Sequence, residues 1–433
     1  MHTLSDLKAG RLAGLQRLDL SCGLTEFPPE IYDLADSLEV LNLSGNLLTS
    51  LPDDLTRLHR LRVIFCSENR FTSLPAVLGQ CPALEMVGFK TNQIRDVPPQ
   101  ALPPPLRWLI LTDNEVETLP AAIGRCEGLQ KLMLAGNRLS HLPAELANCR
   151  QLELLRISAN RFDALPDWLT TLPRLAWLAC AGNPMERVTA EAALHTVNWN
   201  DLTIGQLLGE GASGRIYQAQ WRGNGDTTPV AVKLFKGEVT SDGWPRSEMT
   251  ASLTAGAHGN LIPVAGPLAG HPQGVAGLVM HFIPQAYTTL AGPPSLASCT
   301  RDVYAAGTSF TAGKVLRIAN SVAAAGAHLH ASGLVHGDLY AHNLQCNADG
   351  HCLLGDMGAA SFLPHDATLS NALQRLETRA FGCLLEELLA HADASLDGPV
   401  RGALKALRDD CLQEATGYRP LFPDIVQRLT ALD

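Results

Sequence analysis

Asparagine returns at positions 46, 69, 92, 114, 137, 160 and 183, in steps of 23 residues with a single step of 22. The frame around it reads LxxLxLxxNxLxxLP, as in Leu38-Leu41-Leu43-Asn46-Leu48-Leu51-Pro52 and again in Leu129-Leu132-Leu134-Asn137-Leu139-Leu142-Pro143. One step earlier falls on Gly23, so about eight units are legible. A fixed short period means a stack of equal structural units, because one unit alone cannot bury its apolar face. Each LxL predicts a short parallel strand with its leucines inward. The asparagine side chain is placed to satisfy backbone groups where the chain leaves the strand, and the Leu-Pro step closes the convex side.

These units resemble the leucine-rich repeat family, in its 23-residue class. The resemblance implies an α/β solenoid over residues 1–200, ending at Gly182-Asn183-Pro184, with Glu191 to Asn200 as a short helical or capping link. Strand positions between the leucines face the concave side. One row reads Arg17, Val40, Val63, Met86, Trp108, Lys131, Leu154, Trp177; the next reads Asp19, Asn42, Phe65, Gly88, Ile110, Met133, Arg156, Ala179. Val63, Phe65, Met86, Trp108, Ile110 and Met133 are therefore expected to form one apolar patch. Such patches mark docking surfaces for a protein substrate or partner. The plainer alternative is that the chain itself, or a second copy, covers it.

The period stops after Asn183, and at 433 residues there is room for a second domain, here placed at 201–433. Net charge is −10, shared as −4 over residues 1–200 and −6 beyond, which excludes the basic surface that nucleic acid needs. There is no basic stretch followed by an apolar core at the start and no apolar run of about 18 residues, so neither a secretory signal nor a membrane span is expected. Eleven cysteines without a CxxC pair suggest reduced thiols and a cytoplasmic setting; Cys66 and Cys180 fall at apolar repeat positions.

From Leu202 the composition turns to Gly-rich turns and Val/Ala strands. Gly209-Glu210-Gly211-Ala212-Ser213-Gly214-Arg215-Ile216 is a GxGxxG followed by a strand pattern. Alone the motif is weak, but its place between two strand patterns favours a hairpin folded over phosphates rather than the loop of a dinucleotide fold. Lys233 ends Val230-Ala231-Val232, 19 residues after Gly214, the one charge in an alternating strand. A lone strand lysine is usually solvated; this spacing suits an α/β-phosphate contact, with Glu248 the candidate counter-ion. In His336-Gly337-Asp338-Leu339-Tyr340-Ala341-His342-Asn343 an aspartate precedes an asparagine by five. The carboxylate can orient a hydroxyl and accept its proton, while the amide oxygen and Asp356, 13 residues on in Asp356-Met357-Gly358, can hold Mg²⁺. Any of these alone could be structural; their order and spacing together argue otherwise.

Residues 203–433 thus resemble the eukaryotic-like protein kinase superfamily, and the repeat-then-kinase order looks like bacterial fusions of the two. The resemblance implies an α+β bilobal fold and an ATP- and Mg²⁺-dependent protein kinase. It implies Asp338, Lys233 and Asn343 as catalytic residues and Asn343 and Asp356 as metal ligands. Gly209, Gly211, Gly214, Ile216, Ala231, Lys233, Glu248, Met280 at the gatekeeper place, and the backbone of His281 and Ile283 would surround the nucleotide. Several departures stand out. Gly337 replaces the usual arginine, no APE motif follows Asp356, Arg419 lacks its expected glutamate, and Glu377 stands for the usual aspartate. Gln345 occupies a usually apolar adenine-floor place. Tyr340 and His342 match neither the Ser/Thr nor the Tyr signature, with Ser/Thr slightly preferred. A pseudokinase scaffold is the alternative reading, and a small-molecule kinase a third.

Overall fold

The computed structural model describes residues 2–186, 196–211, 213–223, 226–236, 240 and 242–432. The chain divides into two compact units, Met1–Leu172 with Asn183–Met185, and Pro173–Gly182 with Glu186–Asp433.

The first unit opens with a short helix α1 (Leu4–Lys8), capped by the Thr3 hydroxyl. Seven three-residue strands follow: β1 (Arg17–Asp19), β2 (Val40–Asn42), β3 (Val63–Phe65), β4 (Met86–Gly88), β5 (Trp108–Ile110), β6 (Lys131–Met133) and β7 (Leu154–Arg156). They pair in parallel, and the register aligns Arg17, Val40, Val63, Met86, Trp108, Lys131 and Leu154 in one row. After each Leu-Pro step a 3₁₀ turn carries the return, as in Ala76–Gln80 and Ala121–Arg125.

The asparagine ladder works by accepting from one unit and donating to others. Asn69 Oδ1 accepts from the Leu48 amide at 2.9 Å, while its Nδ2 donates to Leu43 and Cys66 carbonyls. Asn92, Asn114, Asn137 and Asn160 repeat the pattern through Phe71, Ile94, Val116 and Leu139. A buried backbone polar group left unpaired costs about 1–3 kcal/mol, so an invariant side-chain partner at each turn is what lets so polar a bend be buried.

The concave apolar patch is less bare than the sequence suggests. Val63 and Met86 are buried, at 5% and 2% exposure, and Phe65, Trp108, Ile110 and Met133 are half-buried. Phe65 lies across Gly88, where a Cβ would come within 2.5 Å of its ring. Trp108 meets Phe65 edge-on at 6.5 Å, and the Lys131 ammonium sits 4.5 Å above the Trp108 ring.

The second unit begins with β8 (Trp177–Ala179), the eighth strand by sequence period. Of the expected link Glu191 to Asn200, residues 191–195 lie outside the described residues; the remainder forms β9 (Val197–Asn198) and a 3₁₀ turn from Trp199. Next comes a mixed sheet of β10 (Leu202–Glu210), β11 (Gly214–Gly223), β12 (Asp226–Phe235), β13 (Val264–Ala269) and β14 (Gly277–His281). Its order is β10-β11-β12-β14-β13-β9. Val230, Val232, Val279, Ala219 and Val197 form its core. Helix α2 (Pro245–Ala255) precedes β13, and its last turn ends at Gly256. The mainly helical part holds α3 (Ala312–Ala331), α4 (Ala367–Ala390), α5 (Gly398–Cys411) and α6 (Phe422–Thr430), with the short strands β15 (Thr288–Thr289), β16 (Leu334–Val335), β17 (Leu344–Cys346), β18 (Cys352–Leu354) and β19 (Ser361–Phe362). No helix among the described residues is long and apolar enough to cross a membrane.

One expectation is corrected. The cysteines are not all thiols: Cys346 and Cys352 form a disulfide. They sit directly opposite each other on the β17–β18 hairpin, with Cα atoms 4.2 Å apart. Their pairing comes from hairpin register, which a search for CxxC spacing does not detect. The other nine cysteines lie outside this disulfide, and all but Cys22 are buried.

Candidate active site

Strands β10 and β11 form the expected hairpin, closed at its tip by the Gly211 amide donating to the Gly214 carbonyl at 2.9 Å. Gly214 is required by packing: a Cβ there would stand 2.5 Å from the Leu234 carbonyl oxygen. Glu210 clasps Arg215 and Lys236 across the hairpin base. Ile216 is in register with Lys233, and Ala231 with Met280, so all four lie side by side on three adjacent strands.

Lys233 is 5% exposed, and its Nζ is 2.6 Å from Glu248 Oε1 and 3.4 Å from Asp356 Oδ1. Helix α2 supplies Glu248 from its first turn, after Pro245 at the helix start. Burial pushes the Glu248 carboxyl up to about 7, against the pull of Lys233. Burial also opposes the Lys233 charge, but Asp356 and Glu248 hold its pKa above the ordinary lysine value. Close packing disfavours the Asp356 anion too, yet Lys233 and His336 keep its pKa below the usual carboxylate range. The Asp356 side chain is 49% exposed, so it is open to a ligand. Its backbone is left-handed (φ 53°), and its carboxylate accepts from the Gly358 amide. Met280, Glu248, Leu261, Leu278 and Asp356 line a common cavity. The His281 amide donates to the Pro263 carbonyl at 2.9 Å; Ile283 follows β14 by two residues and is half-buried.

The loop between β16 and β17 carries Asp338 and Asn343. Asn343 Nδ2 donates to Asp338 Oδ2 at 2.9 Å and to the Asp338 carbonyl at 2.8 Å. The amide nitrogen thus faces Asp338, and the amide oxygen is the atom available to a cation. Asn343 and Asp356 flank the β17–β18 hairpin, and the Gly355 amide donates to the Asn343 carbonyl, so one hairpin positions both. Among the described residues no three His, Cys, Asp or Glu side chains converge as a metal cage. A side-chain amide and a carboxylate at the two ends of one hairpin are oxygen donors of the kind Mg²⁺ takes, since it uses few protein ligands and completes its shell with phosphate oxygens and water.

Glu377 on α4 anchors this loop from below, accepting from the Gly337 amide at 2.7 Å and from His330 Nε2 at 2.7 Å. Though burial opposes its charge, the His330 bond leads the contacts that hold its pKa low. Arg419 is buried, and carbonyls take the place of a glutamate: Gln413, Arg375 and Pro173 accept from its guanidinium. Burial pulls its pKa down to about 9. Gln345 turns to Thr289, with Nε2 donating to Oγ1 at 3.0 Å.

Asp302 was not singled out in the sequence. Its side chain is fully buried and bonds His342 at both Nδ1 (2.7 Å) and the backbone amide (3.0 Å). Burial disfavours the imidazolium, but Asp302, Asp338 and Asp356 raise the His342 pKa above its usual value. Asp302 lies in an irregular stretch with no period and no motif, so nothing in the sequence marks it.

Residues 202–382 match the protein tyrosine and serine/threonine kinase family, and residues 104–162 and 37–58 match leucine-rich repeat families. Leucine-rich repeats are followed by a protein kinase domain in this chain. A similar protein is the serine/threonine-protein kinase mos of Xenopus laevis, 26% identical over 189 residues. That match spans 43% of this chain and about half, 48%, of the relative's length.

Proposed function

We propose that the chain is an ATP- and Mg²⁺-dependent protein kinase acting on protein hydroxyls, with its leucine-rich repeats recruiting the substrate or a partner. The observation that carries this reading is the buried Lys233–Glu248 pair within reach of Asp356, alongside the Asp338–Asn343 pair on one loop. When bound, Mg²⁺ would neutralise phosphate charge. Lys233, held in place by Glu248, orients the phosphates. The β10–β11 hairpin covers them with backbone amides. Asn343 and Asp356 would hold the metal. Asp338, fixed by Asn343, orients the acceptor hydroxyl and takes up its proton. Little covalent chemistry is asked of the protein; positioning and charge complementarity carry the rate. The mos relative inclines the acceptor to serine or threonine.

A pseudokinase scaffold is the second reading, favoured by one observation: only ten residues separate Asp356 from the start of α4 at Ala367. Turnover separates the two. Wild type and Asp338→Ala are compared with γ-labelled ATP, Mg²⁺ and dephosphorylated casein, followed by phospho-residue analysis. The kinase reading expects transfer by wild type and a loss of at least about a hundredfold in kcat for Asp338→Ala, with ATP affinity nearly intact. Equal labelling by both, or none by wild type, would refute it.

A further inference from the structure

Trp177 stands in the eighth strand by repeat period, yet it packs within the second unit, against the loop that carries Asp338. Its indole stacks on Tyr340 with ring centroids 4.2 Å apart and planes 8° from parallel. Its Nε1 donates to the Leu339 carbonyl at 3.0 Å. Leu339 and Tyr340 are the two residues that follow Asp338. Tyr340 in turn leans on His342 at 4.9 Å, and His342 is tied to buried Asp302. An unbroken line of packed rings and one buried hydrogen bond therefore runs along the loop from Leu339 to His342, next to Asn343.

The neighbours of Trp177 are fixed as well. The Leu178 carbonyl lies against Gly337, leaving 2.6 Å to a Cβ built there, and the Cys180 amide donates to Ser361 Oγ. The Pro173 carbonyl accepts from buried Arg419 at 2.7 Å. Segment Pro173–Gly182 thus touches the Asp338 loop, the strand after Asp356 and the arginine left without a glutamate. With ten residues between Asp356 and α4, the kinase domain has little chain of its own to make those contacts.

We infer that Trp177 is a positioning residue for phosphoryl transfer: the last repeat strand braces the Asp338–Asn343 loop in its working shape through the Trp177–Tyr340 stack and the Trp177–Leu339 bond. The inference rests on the kinase reading above. A brace of this kind is built in with the chain and needs no phosphate on the loop. It also makes the catalytic loop depend on residues that belong, by sequence, to the repeats.

The test uses the full chain as wild type, Trp177→Ala, Trp177→Phe and Tyr340→Leu. Steady-state kinetics are measured with Mg·ATP and dephosphorylated casein, and hydrogen exchange is followed over residues 334–346. Trp177→Ala should lower kcat by at least about tenfold while the KM for ATP stays within about twofold, since a small displacement of the loop costs rate rather than nucleotide contact. Trp177→Phe keeps the ring stack and loses only the Leu339 bond, so it should recover most of the rate. Exchange over 334–346 should quicken in Trp177→Ala and not in Trp177→Phe. If Trp177→Ala does not fold, Tyr340→Leu removes the stack from the other side and should give the same split. Wild-type kcat and wild-type exchange in Trp177→Ala or Tyr340→Leu would overturn the inference, as would an equal rise in KM and fall in kcat. If wild type transfers no phosphate, the kinase reading fails, and the exchange arm alone decides: quickened exchange supports the brace, unchanged exchange rejects it.

Discussion

Gly337 offers the sharpest quantitative check, because the resemblance to protein kinases would favour arginine there while the structure forbids any side chain. Its φ is +71°, and an added Cβ would stand 2.5 Å from the Ala359 carbonyl oxygen and 2.6 Å from that of Leu178. Both obstacles are backbone, so neither can swing aside. The left-handed conformation costs an L-residue about 1–2 kcal/mol, and forcing close-packed backbone apart adds about 1–3. Gly337→Ala should therefore destabilise by about 2–5 kcal/mol, lowering the unfolding midpoint by about 4–20 °C. Gly337→Arg, which restores the usual tripeptide, should be at least as damaging, and the displaced Gly337 amide would loosen its bond to Glu377. Gly402 on α5 is the control: nothing lies within 4 Å of a Cβ there, and its φ is ordinary. Gly402→Ala should stabilise by about 0.5–1 kcal/mol. Differential scanning calorimetry on the full chain measures all three. A Gly337→Arg midpoint equal to wild type would refute the reasoning, since it would mean the two carbonyls are not where the packing puts them.

Two further outcomes follow from titration and thiol chemistry. Glu248 sits at about 7 when folded against an ordinary 4.5, so its protonated form is favoured by folding. Its contribution to stability is complete below 4.5 and is lost as pH rises through 7. The nucleotide-ready ion pair with Lys233 moves the other way: kcat/KM for ATP should climb between pH 6 and 8, and a flat profile in wild type would contradict the burial of that carboxyl. For the cysteines, titration of thiols in denaturant without reductant should find nine per chain, rising to eleven after reduction; eleven at the outset would deny the Cys346–Cys352 bridge.

How much of this was legible follows from where the information sits. The repeats announce themselves because the asparagine and leucine positions are set by a backbone shape that recurs, and the observed register reproduces the two concave rows from Arg17 to Leu154 and from Asp19 to Arg156. The residues proposed to surround a nucleotide are legible because their chemistry narrows the residue type, and strand register alone brings Ile216, Lys233, Ala231 and Met280 together. What escaped was long-range contact. Asp302 is ordinary in sequence and decisive only because an irregular stretch carries it beneath His342. The Cys346–Cys352 pair depends on a hairpin whose turn sets which residues face. The repeat period makes Trp177 the last member of a concave row, since period assigns a face but not the neighbour that fills it. The departures at Gly337 and Arg419 look in sequence like decay of the kinase pattern. In the structure both are met by the same segment: Leu178 leaves no room for a side chain at 337, and Pro173 supplies one of the three carbonyls that hold Arg419. Two losses answered by residues of one short segment are more economically read as a substitution of parts than as two defects, and that substitution makes Pro173–Gly182 part of the second unit's own packing.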